Sequence, residues 1–172
     1  MKFLILILSL SILFITACSR TVVVKTETKI PYVKNDVNVS DEDKEDLSLS
    51  LFRLSNYTDT PRAGMRAANI LEGILQTKGF DVISHISEDL PKRDKAREIA
   101  VADGSKYFIY GGVSEWRYRT GIDGKPAVSI MCNLYKTDSD KLIWSATGAY
   151  SNWGNSSISL TAQNLFHNML DN

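Results

Sequence analysis

The stretch Lys106-Tyr-Phe-Ile-Tyr-Gly-Gly-Val-Ser-Glu-Trp-Arg-Tyr-Arg119 decides the fold. Its aromatic and β-branched content reads as one long strand. Two further strand-like runs follow, Pro126 to Lys136 and Lys141 to Ser151. Asp123-Gly124 and Asp138-Ser139 supply turn chemistry between the three runs. They are therefore expected to form an antiparallel meander, with Gly121 to Lys125 projecting as a loop.

Upstream, Leu47, Leu49 and Leu51 alternate with Ser48 and Ser50, the pattern of a strand with one buried face. Thr60-Pro61 predicts a helix start, with Thr as the cap and Pro in the first helical position. Ala67, Ala68, Leu71, Ile74 and Leu75 share one helical face, and Gly79 sits where a left-handed residue would end the helix. Phe80 to Ser84 reads as a short strand. Lys92 to Ala102 reads as a second helix with Ala96, Ile99 and Ala100 turned inward. A last helix is expected from about Ser156 to Leu170, its stripe made of Ile158, Ala162, Leu165, Phe166 and Met169. The order β-α-β-α-β-β-β-α predicts one α/β (α+β) domain over residues 47–172. Its architecture is expected to be three-layer-like, with a mixed sheet whose helix-linked strands are parallel.

The 172-residue chain leaves room for appendages, and its start fills them. Met1-Lys2 precedes an apolar run from Phe3 to Ile15, too short for a spanning helix, so residues 1–17 read as a signal peptide. Ile15-Thr16-Ala17-Cys18 resembles a bacterial lipobox, which implies cleavage before Cys18 and acylation of that residue. Several acyl chains make a stable anchor. Ser19 after the Cys implies, by the same resemblance, transfer to the outer membrane. Residues 18–46 then read as a lipidated N-terminus with a flexible acidic tether, which ends in Asp41-Glu-Asp-Lys-Glu-Asp46. Thr21-Val-Val-Val24 could add an edge strand, but a spacer is the simpler reading.

Composition excludes several function classes. Twenty Lys and Arg balance twenty Asp and Glu, so the basic excess of a nucleic-acid binder is absent. No spacing of Cys, His, Asp and Glu matches a metal site, and no phosphate loop, nucleophile elbow or cofactor motif is present. His85 and His167 read as structural or solvent-facing, and Cys132 alternates with core positions. Glu115 and Asp123 flank a hairpin rather than a cleft, which argues against a glycosidase pair. Parity puts Trp116 and Tyr118 on one strand face and Glu115, Arg117 and Arg119 on the other. Trp153, in a polar loop, is either a lid on the core or an exposed contact.

Several stretches together carry a resemblance. They are Glu115-Trp-Arg-Tyr118, Asp123-Gly-Lys-Pro-Ala-Val128, Trp144-Ser-Ala-Thr-Gly148, Ser151-Asn-Trp-Gly154 and Thr60-Pro-Arg-Ala-Gly-Met-Arg66. They resemble the PelC family, outer-membrane lipoproteins of Pel exopolysaccharide export. The broader fold resembles CsgG-like and LpoB-like periplasmic domains. The resemblance implies a non-catalytic homo-oligomeric ring, a dodecamer, beneath a PelB-like outer-membrane barrel. An acidic inner surface would guide a cationic polysaccharide to the pore, with no cofactor. Carried onto this sequence, Asp123 and then Glu115 are the implied polysaccharide path. Trp153 and then Trp116 are the implied membrane-facing aromatics, and Arg117 the implied subunit bridge. Lys125 departs from the acidic residue the family pattern implies there. Asp and Glu do not outnumber Lys and Arg beyond residue 46, so an acidic lining would require charge placement. The alternative reading is an LpoB-like activator of a peptidoglycan synthase.

Overall fold

The structure, a computed structural model, describes residues 20–25, 47–118, 124–152 and 156–171. The predicted signal peptide (residues 1–17), Cys18, the acidic run at 41–46, Asp123 and Trp153 lie outside the described residues.

The elements in chain order are β1 (Arg20–Lys25), β2 (Ser48–Phe52), β3 (Ser55–Asn56), α1 (Ala63–Thr77), β4 (Asp81–His85), α2 (Arg93–Asp103), β5 (Tyr107–Tyr118), β6 (Pro126–Lys136), β7 (Leu142–Ser151) and α3 (Ile158–Leu170). The sheet order is β1-β7-β6-β5-β2-β4, with β3 beside β5. β2 is parallel to β4 and β5, while β5, β6, β7 and β1 pair antiparallel in turn. The expected mixed sheet and meander are both present. Crossovers β2-α1-β4 and β4-α2-β5 run in opposite directions across the sheet, so a common right-handed twist puts their helices on opposite faces.

α1 and α3 lie side by side on one face, over a core containing Leu49, Leu51, Ile109, Val113, Ile130, Leu134, Trp144 and Phe166. α2 packs on the other face, where Ala96 and Ala100 meet Phe52 and Phe108. Tyr135 stacks on Phe108 at 5.1 Å between centroids, and the Arg93 guanidinium lies 5.3 Å from the Tyr135 centroid. Arg93 also donates to Asp140 at 2.5 Å, which holds the Asp140 carboxyl below its ordinary pKa.

Two expectations are corrected. α1 does not start at a Thr60 cap. Its N-cap is Arg62, in the left-handed region at φ 61° with no side-chain cap bond. Thr60 is used elsewhere: its hydroxyl donates to the Trp116 carbonyl at 2.6 Å, tying the loop before α1 to β5. The helix end does match, with Gly79 at φ 89° and the Phe80 amide reaching back to the Leu75 carbonyl at 3.1 Å. The second correction is β1. Residues 20–25 are not spacer but the edge strand of the sheet, in register from Arg20↔Ser151 to Lys25↔Ala146.

Candidate functional site

A β-bulge builds the candidate site. β5 and β6 pair in step up to Val113↔Ile130, and the next pair is Glu115↔Ser129, so Ser114 is the extra residue. A bulge inverts the parity beyond it. Trp116 consequently turns into the core, 1% exposed and opposite Val128. Glu115 and Arg117 turn to the opposite face, opposite Ser129 and Ala127. Trp116 is therefore a core residue and not a membrane-facing aromatic. Alternation read without the bulge cannot find that. Its indole Nε1 has no hydrogen-bond partner among the described residues.

Beside the bulge lies an open cleft of about 510 Å³, lined by Tyr57, Thr58, Asp59, Thr60, Ser114, Glu115, Trp116, Arg117 and Ser129. Its second wall is the loop after β3, shaped by Asn56. The Asn56 side-chain oxygen accepts from the Thr58 amide at 3.1 Å and the Thr58 hydroxyl at 2.8 Å. Its amide nitrogen donates to the Thr60 carbonyl at 2.8 Å. The Tyr57 amide donates to the Val113 carbonyl at 2.9 Å, which lays the loop against β5. The Tyr57 ring is 71% exposed and lies over Gly112.

In the cleft, Arg117 donates through Nε to Glu115 at 3.1 Å. The Glu115 side chain is 23% exposed and that of Arg117 69%. Ser114 donates to Ser129 at 2.9 Å. The cleft thus offers two carboxylates, several hydroxyls and one exposed aromatic ring. Those groups suit hydroxylated or cationic ligands: carboxylates accept from O–H and N–H donors, and the ring offers a stacking face. Among the described residues, no His or Cys lines it. Of the residues singled out from sequence, the structure brings Glu115 and Arg117 together here. Tyr57 and Asp59 were missed, although the Asn56-x-Thr58-x-Thr60-Pro61 spacing is a recognisable Asx-turn signal.

A second polar cluster sits across the sheet. His85 places Nε2 2.8 Å from Asp103 and Nδ1 3.0 Å from Glu88, with Phe52 stacked on its ring. Burial alone would lower the His85 pKa, but the hydrogen bonds and charges of Asp103 and Glu88 outweigh it and raise the pKa above the ordinary value. Ser50 Oγ lies 2.6 Å from Asp103 Oδ2 and 2.8 Å from Ser105 Oγ. Its hydroxyl is bonded to the carboxylate rather than aligned on the imidazole, so the cluster is not a nucleophilic triad. It ties β4 to the end of α2. Among the described residues no group of three or more His, Cys, Asp or Glu could hold a metal ion. Burial pushes the Cys132 thiol up to about 12, so Cys132 is a core residue.

Comparison with known proteins gives the class and then the family. No protein-family model matches the chain, and no curated protein matches it. Among solved structures, the fold is that of lipoprotein GNA1162 from Neisseria meningitidis (TM-score 0.56, 16% identity, covering 72% of this chain and 95% of that one). PelC from Paraburkholderia phytofirmans, solved as a dodecamer in two crystal forms, is 30% identical over 88% of this chain. It is covered over 96% and 95% of its own length, with TM-scores of 0.71 and 0.70. The chain belongs to the PelC family.

Proposed function

We propose that this chain is an outer-membrane lipoprotein, anchored through Cys18, that assembles into a periplasmic ring. The ring guides a cationic exopolysaccharide of the Pel type to a PelB-like barrel. The observation that carries the reading is the match to dodecameric PelC over 88% of the chain.

Local geometry supports it. β1 begins at Arg20, only two residues after Cys18, and two residues reach at most about 7 Å. Arg20 pairs with Ser151, Ser151 with Ala127, Ala127 with Arg117, and Tyr118 with Pro126. One end of the sheet is thereby held at the anchor. The β5–β6 connection containing Asp123 leaves and re-enters at this end, and Trp153 follows two residues after Ser151. A Trp held at headgroup level suits a membrane interface. The cleft with Glu115 and Asp59 lies at the same end. Carboxylates repeated around a ring focus a field on a cationic chain without binding any unit tightly, so the polymer keeps moving. No bond is made or broken. The short link also favours this reading over the synthase activator, which needs reach from its anchor.

The test is polymer secretion in a strain lacking the chromosomal copy. Wild-type protein restores secretion. The double variant Glu115→Gln with Asp123→Asn accumulates normally but exports several-fold less. Full export by that variant removes the electrostatic path. Cys18→Ala protein leaves the membrane fraction, and its retention there refutes the anchor.

A further inference from the structure

The loop after β3 spends most of its polar side chains on itself. Asn56 holds both the amide and the hydroxyl of Thr58. The Thr58 oxygen accepts from the Thr60 amide at 3.1 Å, and the Thr60 hydroxyl goes to the Trp116 carbonyl. Two side chains between these fixed points stay unused. The Asp59 carboxylate is exposed and has no partner among the described residues. The Tyr57 ring rests its Cε2–Cδ2 side on Gly112, where the missing Cβ makes room, and the rest of it is open to solvent. Both residues line the cleft, on a backbone pinned at the Tyr57 amide.

Elsewhere in the cleft the charge cancels. Glu115 is bound by Arg117, so Asp59 is the carboxylate left uncompensated among the lining residues. The hydroxyls have already given their protons: Thr58, Thr60 and Ser114 donate to Asn56, Trp116 and Ser129. Apart from Arg117, the lining is therefore rich in acceptors and poor in donors. A ligand that suits it brings its own donors, a positive charge and an apolar face. A pyranose with a free amino group has all three: C–H bonds along one ring face, several O–H groups and an ammonium. A lysine side chain has the charge without the hydroxyls, and an anion meets the uncompensated carboxylate. The volume of about 510 Å³ falls in the range of small-molecule sites.

We propose that Tyr57 and Asp59 form a subsite for one amino-sugar unit: the pyranose stacks on the Tyr57 ring while its ammonium donates to the Asp59 carboxylate. This subsite deepens the guiding role proposed above and rests on that reading only for where the polymer runs. A field acts on any cation at a distance, whereas this pair distinguishes a free amine from an acetylated one. An N-acetyl group is uncharged, so the charge-assisted bond is lost. An open cleft with a single exposed ion pair binds weakly, as a passing chain requires.

The experiment is calorimetric titration of the full-length protein in neutral detergent at low salt. The probes are a glucosamine tetrasaccharide and its fully N-acetylated counterpart. Wild type is expected to bind the glucosamine form roughly tenfold or more tightly. Asp59→Asn abolishes that preference and retains the weaker binding of the acetylated form. Tyr57→Ala lowers both affinities, and so does Gly112→Ala, whose Cβ displaces the ring. Tyr57→Phe keeps the ring and binds as wild type. Asp81→Asn removes a carboxylate exposed at the start of β4, at the opposite end of the sheet, and leaves both affinities unchanged. A preference that survives Asp59→Asn, or is lost equally in Asp81→Asn, overturns the subsite, as does a wild type that binds neither sugar. Secretion that still depends on Glu115 and Asp123 would then leave the guiding role standing. Sugar binding at Asp59 in a protein whose secretion ignores Glu115 and Asp123 sinks the guiding role and keeps the subsite.

Discussion

Adjacent glycines in β5 should respond oppositely to the same added methyl group. A Cβ on Gly111 would lie 2.2 Å from the Met131 carbonyl oxygen and 3.1 Å from the Cys132 Cα, both main-chain atoms of the paired strand. Cβ atoms keep beyond 3.0 Å, so the strands must part by about 0.8 Å. A ladder bond of normal length, stretched by that amount, passes out of hydrogen-bond range. Two such bonds lost in the buried centre of the meander cost roughly 2–4 kcal/mol. Reduced freedom of the unfolded chain returns about 0.4–1 kcal/mol. Gly111→Ala should therefore lose about 2 kcal/mol, a fall of roughly 4–8 °C in melting temperature for a chain of this size. A Cβ on Gly112 would crowd the Tyr57 ring, 2.6 Å from Cε2, and touch the Ser55 Cβ at an ordinary 3.5 Å; the exposed ring can swing away. Gly112→Ala should stay within about 0.5 kcal/mol of wild type. Urea and thermal unfolding at one protein concentration measure both, since association shifts apparent stability. A Gly111→Ala protein within 2 °C of wild type, or a Gly112→Ala protein falling as far as Gly111→Ala (thresholds of about half the smallest shift expected from the ladder loss), refutes the reasoning.

Three other outcomes are expected. His85 has a raised folded pKa, so its contribution is fully present below its unfolded value near 6.5 and is lost as pH rises through the folded value. The stability gap between wild type and His85→Gln should thus be wider at pH 5.5 than at pH 8.5 (pH values bracketing the ordinary imidazole range), and a pH-independent gap contradicts the Asp103 and Glu88 contacts. Cys132, its thiol pushed up to about 12 by burial, should resist iodoacetamide in the folded protein and react fully in denaturant. Labelling of the native protein at the rate of a free thiol contradicts its placement. Thr60→Val removes the hydroxyl that holds the Trp116 carbonyl and should cost about 1 kcal/mol. An unchanged urea midpoint would mean that the loop carrying Tyr57 and Asp59 does not depend on it.

The fold was legible where periodicity and punctuation agreed. Pro126–Lys136 is a strand with the expected bounds, and the α3 stripe of Ala162, Leu165, Phe166 and Met169 is buried as its spacing requires. The site was less legible because it depends on one inserted residue. Ser114 is an ordinary strand residue in sequence, and only its lack of a partner in β6 reverses the faces of Glu115, Trp116 and Arg117. Local pattern carries no information on cross-strand register, so an indole with every attribute of a surface aromatic ends in the core. The start of α1 misled for a related reason. Thr60 satisfies the capping preference in sequence, but the hydroxyl goes to a β5 carbonyl 56 residues away. Long-range pairing also decides β1, whose three consecutive valines alternate into the sheet only because β7 provides an edge.

β1 changes what the acidic segment can do. Had the chain run freely from Cys18 to Leu47, the domain could hang well below the membrane and sample partners across the periplasm. Pairing of Arg20–Lys25 with β7 takes that slack out of the anchor and puts it inside the domain, as the connection from β1 to β2. Four strand spacings, about 19 Å, separate those two strands. Residues 26–46 are far longer than that crossing needs, and their charged run lies in the connection rather than in the anchor. Under the proposed anchoring, a lipid at Cys18 would act on the sheet through two residues and so set the domain's orientation as well as its location. Orientation matters to a ring beneath a pore, whose subunits must all present one end to the membrane. It offers little to a protein whose task is to reach. If three or four flexible glycine–serine repeats inserted between Ser19 and Arg20 left export intact, membrane-flush orientation would not matter and the guide reading would lose its geometric support. Loss of export with unchanged membrane association and unchanged mass is the expected result.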